Sequence, residues 1–197
     1  PTRGILQTAS VIAVKGDETF TPGVSGNDLG QPRASGDRSW IGVRFMREHY
    51  LATYAVPWFP WGYMVDDVVT SHPSFLNDYA TNISAPAFTP TQHSRIVYMK
   101  EFRSRSYIGG GLMLNFEFTP SFYLKTSSYI FLPDNYDAVR EDIRKRLRYI
   151  FDASLVYQTI VGPVSLSMSK YEARRSDNWF LTFNFGYALF SKKGLFY

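Results

Sequence analysis

A two-residue alternation runs through the C-terminal part of the chain and constrains its fold more than any other feature. From Asn178 the sequence reads N-W-F-L-T-F-N-F-G-Y-A-L-F. Trp179, Leu181, Phe183, Phe185, Tyr187 and Leu189 share one parity. Asn178, Thr182, Asn184, Gly186 and Ala188 share the other, which only Phe180 and Phe190 break. Successive side chains of a strand point to opposite faces. One face is therefore large and apolar, the other small and polar, as in a transmembrane β-strand with lipid on one side and a wet lumen on the other.

The same period recurs upstream. Strands are expected over residues 148–159 and 164–171, joined by a short turn through Gly162-Pro163. In the first, Tyr149, Phe151, Ala153, Leu155 and Tyr157 alternate with Ile150, Asp152, Ser154, Val156 and Gln158. Residues 107–119 and 122–132 form another pair about the turn Thr119-Pro120-Ser121, and Leu112, Leu114, Phe116 and Phe118 oppose Gly111, Met113, Asn115 and Glu117. Residues 39–51 and 59–70 read as strands, the second less regular, and residues 3–14 alternate weakly. Short connections alternate with long ones at 15–37, 71–106 and 133–145, which are rich in Gly, Pro, Asn and Asp or charged. Outer-membrane barrels share this arrangement, their short turns being periplasmic.

Composition agrees. The chain has 197 residues, enough for a single domain or part of one, and is 17% aromatic, yet its mean hydropathy is −0.20. No apolar run approaches the ~18 residues of a membrane helix. High aromatic content without such a run suits a barrel, where every second residue faces water. A soluble β-sandwich is the alternative, but its solvated face normally carries Lys, Glu and Arg. Here the polar faces of the last three strands are mostly Ser, Asn, Thr, Gln and Gly. Aromatics also gather near strand ends, Trp58, Phe59 and Trp61 at one level and Trp179 and Tyr149 at the other, as interfacial girdles do. The fold class expected is an all-β, antiparallel transmembrane β-barrel. Zero cysteines and a net charge of +4 add little. The N-terminus lacks a signal-peptide pattern, so a mature form, an isolated domain or a fragment is expected, the fragment first.

Chemistry-bearing motifs are sparse. Gly23-Val24-Ser25-Gly26 lacks the last glycine of a G-x-S-x-G elbow. His49, His72 and His93 have no metal-ligand spacing. Gly109-Gly110-Gly111 does not precede a helix, so it reads as a close backbone approach or a bend rather than a phosphate cradle. No catalytic residue, metal, cofactor or nucleic-acid partner is expected.

Several stretches together resemble the C-terminal barrel of the bacterial surface antigen superfamily. They are Thr159-Ile160-Val161-Gly162-Pro163-Val164, the final strand with the residues after it, and Phe102-Arg103-Ser104-Arg105-Ser106-Tyr107-Ile108-Gly109-Gly110. Residues 79–90, with Ser84-Ala85-Pro86-Ala87-Phe88-Thr89-Pro90, and the ending Lys192-Lys193-Gly194-Leu195-Phe196-Tyr197 are most similar to the barrel of outer-membrane patatin-like phospholipases. The resemblance implies the last eight strands of a sixteen-stranded barrel in the bacterial outer membrane. It also implies that residues 71–106 fold into the lumen, with Phe102-Arg103-Ser104 as the loop-tip motif, although serine stands where the family has glycine. Asn184, Gly186, Leu189, Phe196 and Tyr197 then form the C-terminal signal read by the outer-membrane assembly machinery.

On this reading Arg103 needs a lumen carboxylate, Asp152 first and Glu117 second, because an unpaired buried charge is costly. The alternative is a hydrated arginine. Arg140, Arg144, Lys145, Arg146 and Arg148, with Arg174 and Arg175, would sit at the outer rim, where lipopolysaccharide phosphates are the natural partner. A solvated charge run is the alternative. The function expected is a barrel that anchors, with export as a further role, a patatin-like phospholipase domain absent from this chain. The alternatives are the barrel of a protein insertion or translocation factor and a porin-like channel. Outer-membrane lipids and the N-terminal remainder of the same protein are the other partners expected.

Overall fold

The structure, a computed structural model, describes residues 4–20, 34–51, 59–134, 146–173 and 176–186. Among these residues the chain forms ten strands. They are β1 (Gly4–Val14), β2 (Asp17–Phe20), β3 (Ala34–Asp37), β4 (Trp40–Leu51), β5 (Trp61–Thr70), β6 (Tyr107–Thr119), β7 (Phe122–Pro133), β8 (Arg148–Thr159), β9 (Gly162–Ala173) and β10 (Ser176–Phe185). Eight of them make one sheet in the order β1-β4-β5-β6-β7-β8-β9-β10, each antiparallel to the next. β2 and β3 form a separate small hairpin in the first long connection. The architecture is thus an antiparallel sheet. These eight strands alone do not close it, because the order ends at β1 and β10.

The two faces of the sheet differ in the way the alternation requires. On the outer face Trp179, Leu181, Phe183 and Phe185 of β10 are 60–72% exposed. Ile41, Val43, Val69, Ile108, Leu112, Ile130, Phe151, Leu155, Leu166 and Met168 are exposed on the same face. Of its charged residues, Asp67 and Lys170 each lie three residues from a strand end, whereas Arg47 pairs with Val65 near the middle of β5 and lies 6.0 Å from the Tyr63 ring centroid. The inner face carries Ser127, Ser165, Ser167 and Ser169, all buried, with Thr182 and Asn184 half-buried. A sheet packed in water buries its apolar face and solvates its polar one; here the apolar face is the uncovered one.

What covers the inner face is the connection of residues 71–106. It contains the helices α1 (Asp78–Ser84) and α2 (Gln92–Ile96) and a single 3₁₀ turn at Lys100–Phe102. The main apolar core lies between this connection and the sheet. Phe88, Phe102, Tyr107, Tyr129, Phe131, Ile150 and Tyr171 are all buried in it. A fully buried side chain of this size contributes roughly 1.5–3 kcal/mol, so the loop is bound mainly by its aromatic residues. Among the described residues no helix is long and apolar enough to cross a membrane.

Candidate functional site

The connection is first ordered by its own polar groups. Asn77 caps α1 by accepting from the Tyr79 N–H at 2.8 Å. Thr91 and Ser94 cap α2 reciprocally: the Thr91 N–H donates to Ser94 Oγ at 3.0 Å and the Ser94 N–H to Thr91 Oγ1 at 3.1 Å. Each cap satisfies backbone donors that a helix start leaves without partners. The two legs of the loop are stitched together by Phe88 N–H to Phe102 carbonyl at 2.9 Å and Ser104 N–H to Pro86 carbonyl at 3.2 Å.

The loop then meets the sheet through several side chains. Phe88 stacks on Phe131, with ring centroids 5.5 Å apart, and turns its edges to Tyr107 and Tyr129. Gly109 makes room for it, since a Cβ there would clash with Phe88 Cε2. The expectation that the glycine run marks a close approach therefore acquires a partner, although the approach is to a side chain at Gly109. Farther along, Thr91 Oγ1 and the Tyr171 hydroxyl share a 2.6 Å hydrogen bond. His93 stacks on Phe180 at 4.2 Å and places Nδ1 3.1 Å from Thr182 Oγ1. Phe180, which breaks the small face of the last strand, is thus part of the loop's seat. Close to the loop, Arg44 grips Asp66 with two hydrogen bonds of 2.8 and 2.7 Å, and the Tyr107 hydroxyl lies 3.1 Å from Asp66 and 3.0 Å from the Ala87 carbonyl. In β8 to β10 the sequence signals of this seat are Ile150, Tyr171 and Phe180, large residues on faces otherwise rich in small polar ones.

Arg103 is not brought to Asp152. It donates to the carbonyls of Ile83 at 2.7 Å and Ala85 at 2.9 Å and lies 5.0 Å from the Tyr98 ring centroid. Burial draws its pKa below the ordinary arginine value, and the neighbouring Tyr98 opposes that shift. Backbone carbonyls, which an arginine fork fits well, have taken the place expected for a carboxylate. Asp152 accepts instead from Ser154 at 2.8 Å and Ser169 at 2.6 Å. Glu117 pairs across the strands with Tyr123, near the β6–β7 turn. Nor is the Arg103 motif the segment that reaches β10; His93 makes that contact.

Beside the loop a cavity of about 300 Å³ with a mixed polar and apolar lining remains against the sheet. Its wall combines Ser127, Ser154, Ser165 and Ser167 with Lys125 and Asp152, while Thr91 and His93 come from the loop. Of the basic rim, Arg146 and Arg148 are described: Arg146 donates to the Pro133 carbonyl at 2.5 Å and lies 4.0 Å from Asp134, and Arg148 donates to the Arg146 carbonyl at 3.0 Å. Arg140, Arg144, Lys145, Arg174 and Arg175 lie outside the described residues, as do Leu189, Phe196 and Tyr197 of the C-terminal signal. Asn184 faces the cavity, 3.5 Å from Ser165 Oγ, and Gly186 lies just past β10 with φ +84°, where a side chain would be strained. Among the described residues no group of three or more His, Asp or Glu is gathered to hold a metal ion. In comparisons with family models, curated proteins and solved structures, nothing matches this chain.

Proposed function

We propose that the chain is half of the wall of a bacterial outer-membrane β-barrel, which anchors and orients a patatin-like phospholipase domain borne by the preceding part of the same protein. The observation that carries the membrane half of this reading is the inverted polarity of the sheet. Its apolar face is exposed across β1 and β4 to β10, while its serine-rich face is covered by the chain's own loop. Exposed apolar patches on soluble monomers seldom exceed a few hundred Å², and a whole sheet face is far larger than that. Lipid is the solvent that such a face requires. Asp67 and Lys170, near the ends of co-directional strands, fit the headgroup level on one side.

The phospholipase half of the reading rests on the resemblance of residues 79–90 and 192–197 to that group of barrels. Catalysis is assigned to sequence before Pro1. Membrane fractionation of the protein with its preceding region, followed by a heat-modifiability gel, tests the barrel: a band that shifts on boiling is expected, and a soluble, unshifted band would overturn it. Reading the preceding sequence for G-x-S-x-G and assaying phospholipid hydrolysis tests the enzyme. Repeated periplasmic modules in that region would replace the phospholipase with an insertion or translocation role.

A further inference from the structure

We infer that residues 71–106 form a proton-sensitive latch, which His72 and His93 hold against the inner face of the sheet only as neutral imidazoles. The inference concerns the contact between loop and sheet and is independent of what the barrel anchors.

His72 stands at the root of the loop and is 2% exposed. It packs against Trp40, with ring centroids 4.9 Å apart, and Phe75 at 5.4 Å. Its Nε2 lies 2.9 Å from Ser84 Oγ, and Ser84 in turn donates to the Ala80 carbonyl at 2.5 Å. With the hydroxyl proton so used, Nε2–H is the donor and Nδ1 carries the lone pair. Nδ1 is buried without a hydrogen-bond partner. His93 stands at the far end of the loop. Its Nδ1 is engaged with Thr182, and its Nε2 is buried without a partner. A neutral imidazole fits each place, because only one of its nitrogens bears a proton. At His93 protonation would put a charged N–H where no acceptor waits, and at His72 the Pro73 carbonyl favours the added proton less than burial opposes it.

The surrounding charges do not reverse this. Arg105, on the returning leg of the loop, opposes a proton on His72, and the Pro73 carbonyl favours it more weakly. Glu18 of the nearby hairpin is held by Arg38 at 2.7 Å and by the Leu76 N–H at 2.9 Å. The cavity beside His93 is lined by Asp152 of β8, Lys125 of β7, Arg44 and Glu48 of β4 and Arg95 of its own helix. Of these Asp152 favours the proton, but burial outweighs it and the pKa of His93 lies below the ordinary value. Burial is also the largest cause of the lowered pKa of His72.

The sign follows from linkage. Both histidines bind protons more readily when the loop is released, where their pKa is about 6.5. Docking is therefore fully favoured above that pH and weakens as pH falls through and below it. Two such groups can raise the released fraction by up to about a hundredfold per pH unit.

The test is amide exchange of residues 86–104 in the folded protein in detergent, corrected for the intrinsic pH dependence of exchange, from pH 7.5 to 5. The wild type should show increasing release below about pH 6.5, with a linkage of between one and two protons. His72→Gln and His93→Gln should each lower that linkage by about one, and the double variant should respond little. An acid response that survives in the double variant would overturn the latch, pointing to a carboxylate instead. So would a wild type whose loop is unchanged across the range. Should a variant fail to fold, direct NMR titration of His72 and His93 in the wild type decides: values at or above about 6.5 would refute the inference.

Discussion

Gly109 and Phe88 are one contact seen from two sides. The ring occupies the space a Cβ would need, so Gly109→Ala should displace the loop and cost about 1–3 kcal/mol. Phe88→Ala vacates the space, so adding Gly109→Ala to it should do little more, and thermal unfolding of the two singles and the double would expose the coupling. Gly110→Ala is the control, since its Cβ would meet only the Met64 carbonyl at 3.3 Å. Arg103 and Asp152 should behave in the opposite way. Their partners are separate sets, carbonyls and Tyr98 for one and serines for the other, so Arg103→Ala and Asp152→Ala should add to within ~0.5 kcal/mol. A coupling above that in a double-mutant cycle would restore the direct lock. The three glycines announced a close approach, but not which ring approaches, because Phe88 lies about twenty residues away on a loop with no period. Arg103 announced a need for acceptors, but backbone carbonyls leave no mark on a sequence.

The eight sheet strands were legible because their signal is local. Alternation places both the strand and its faces, and the described ends agree to within two residues with those expected except at β10, which ends at Phe185 although the alternation reads on to Leu189. The helices escaped it: α1 has seven residues and α2 five, too short to display a helical period. β2 and β3, four residues each, escaped for the same reason. The pairs Asn77-Asp78 and Thr91…Ser94 were the available clues, as caps. The loop's seat was half visible, in Phe180 and Ile150 as exceptions to a small inner face. β10 offers the sharpest test of the two faces. Leu181 is 72% exposed on the outer face, and Asn184 borders the cavity. Leu181→Arg should cost about 2–4 kcal/mol or block assembly if the outer face meets lipid near mid-membrane, while Asn184→Arg should cost far less. A heat-modifiability gel on both variants reads the difference, and equal losses would count against lipid on the outer face.

At the scale of the whole molecule the sheet is even-stranded and open. β1 and β10 run in opposite directions, and each has one side of its backbone without a strand neighbour in the described sheet. Unpaired N–H and C=O groups are costly in lipid, where no water can satisfy them. Eight strands could close a small barrel, but its interior would be filled by side chains. The inner face here is instead rich in serine and already carries a loop of two helices with an aromatic core. The loop already fills part of the interior that such a closure would enclose. Completion by further strands avoids both problems and continues each face, since β1 also directs Thr8 and Ser10 inward and Val11 outward. Two preparations in the same detergent test this. The chain alone should associate through its edges, giving masses above one copy by light scattering. The protein extended by its preceding strands should run as a single copy whose compact band shifts on boiling. A compact, heat-modifiable single copy of the chain alone would show that the eight strands close around the loop after all.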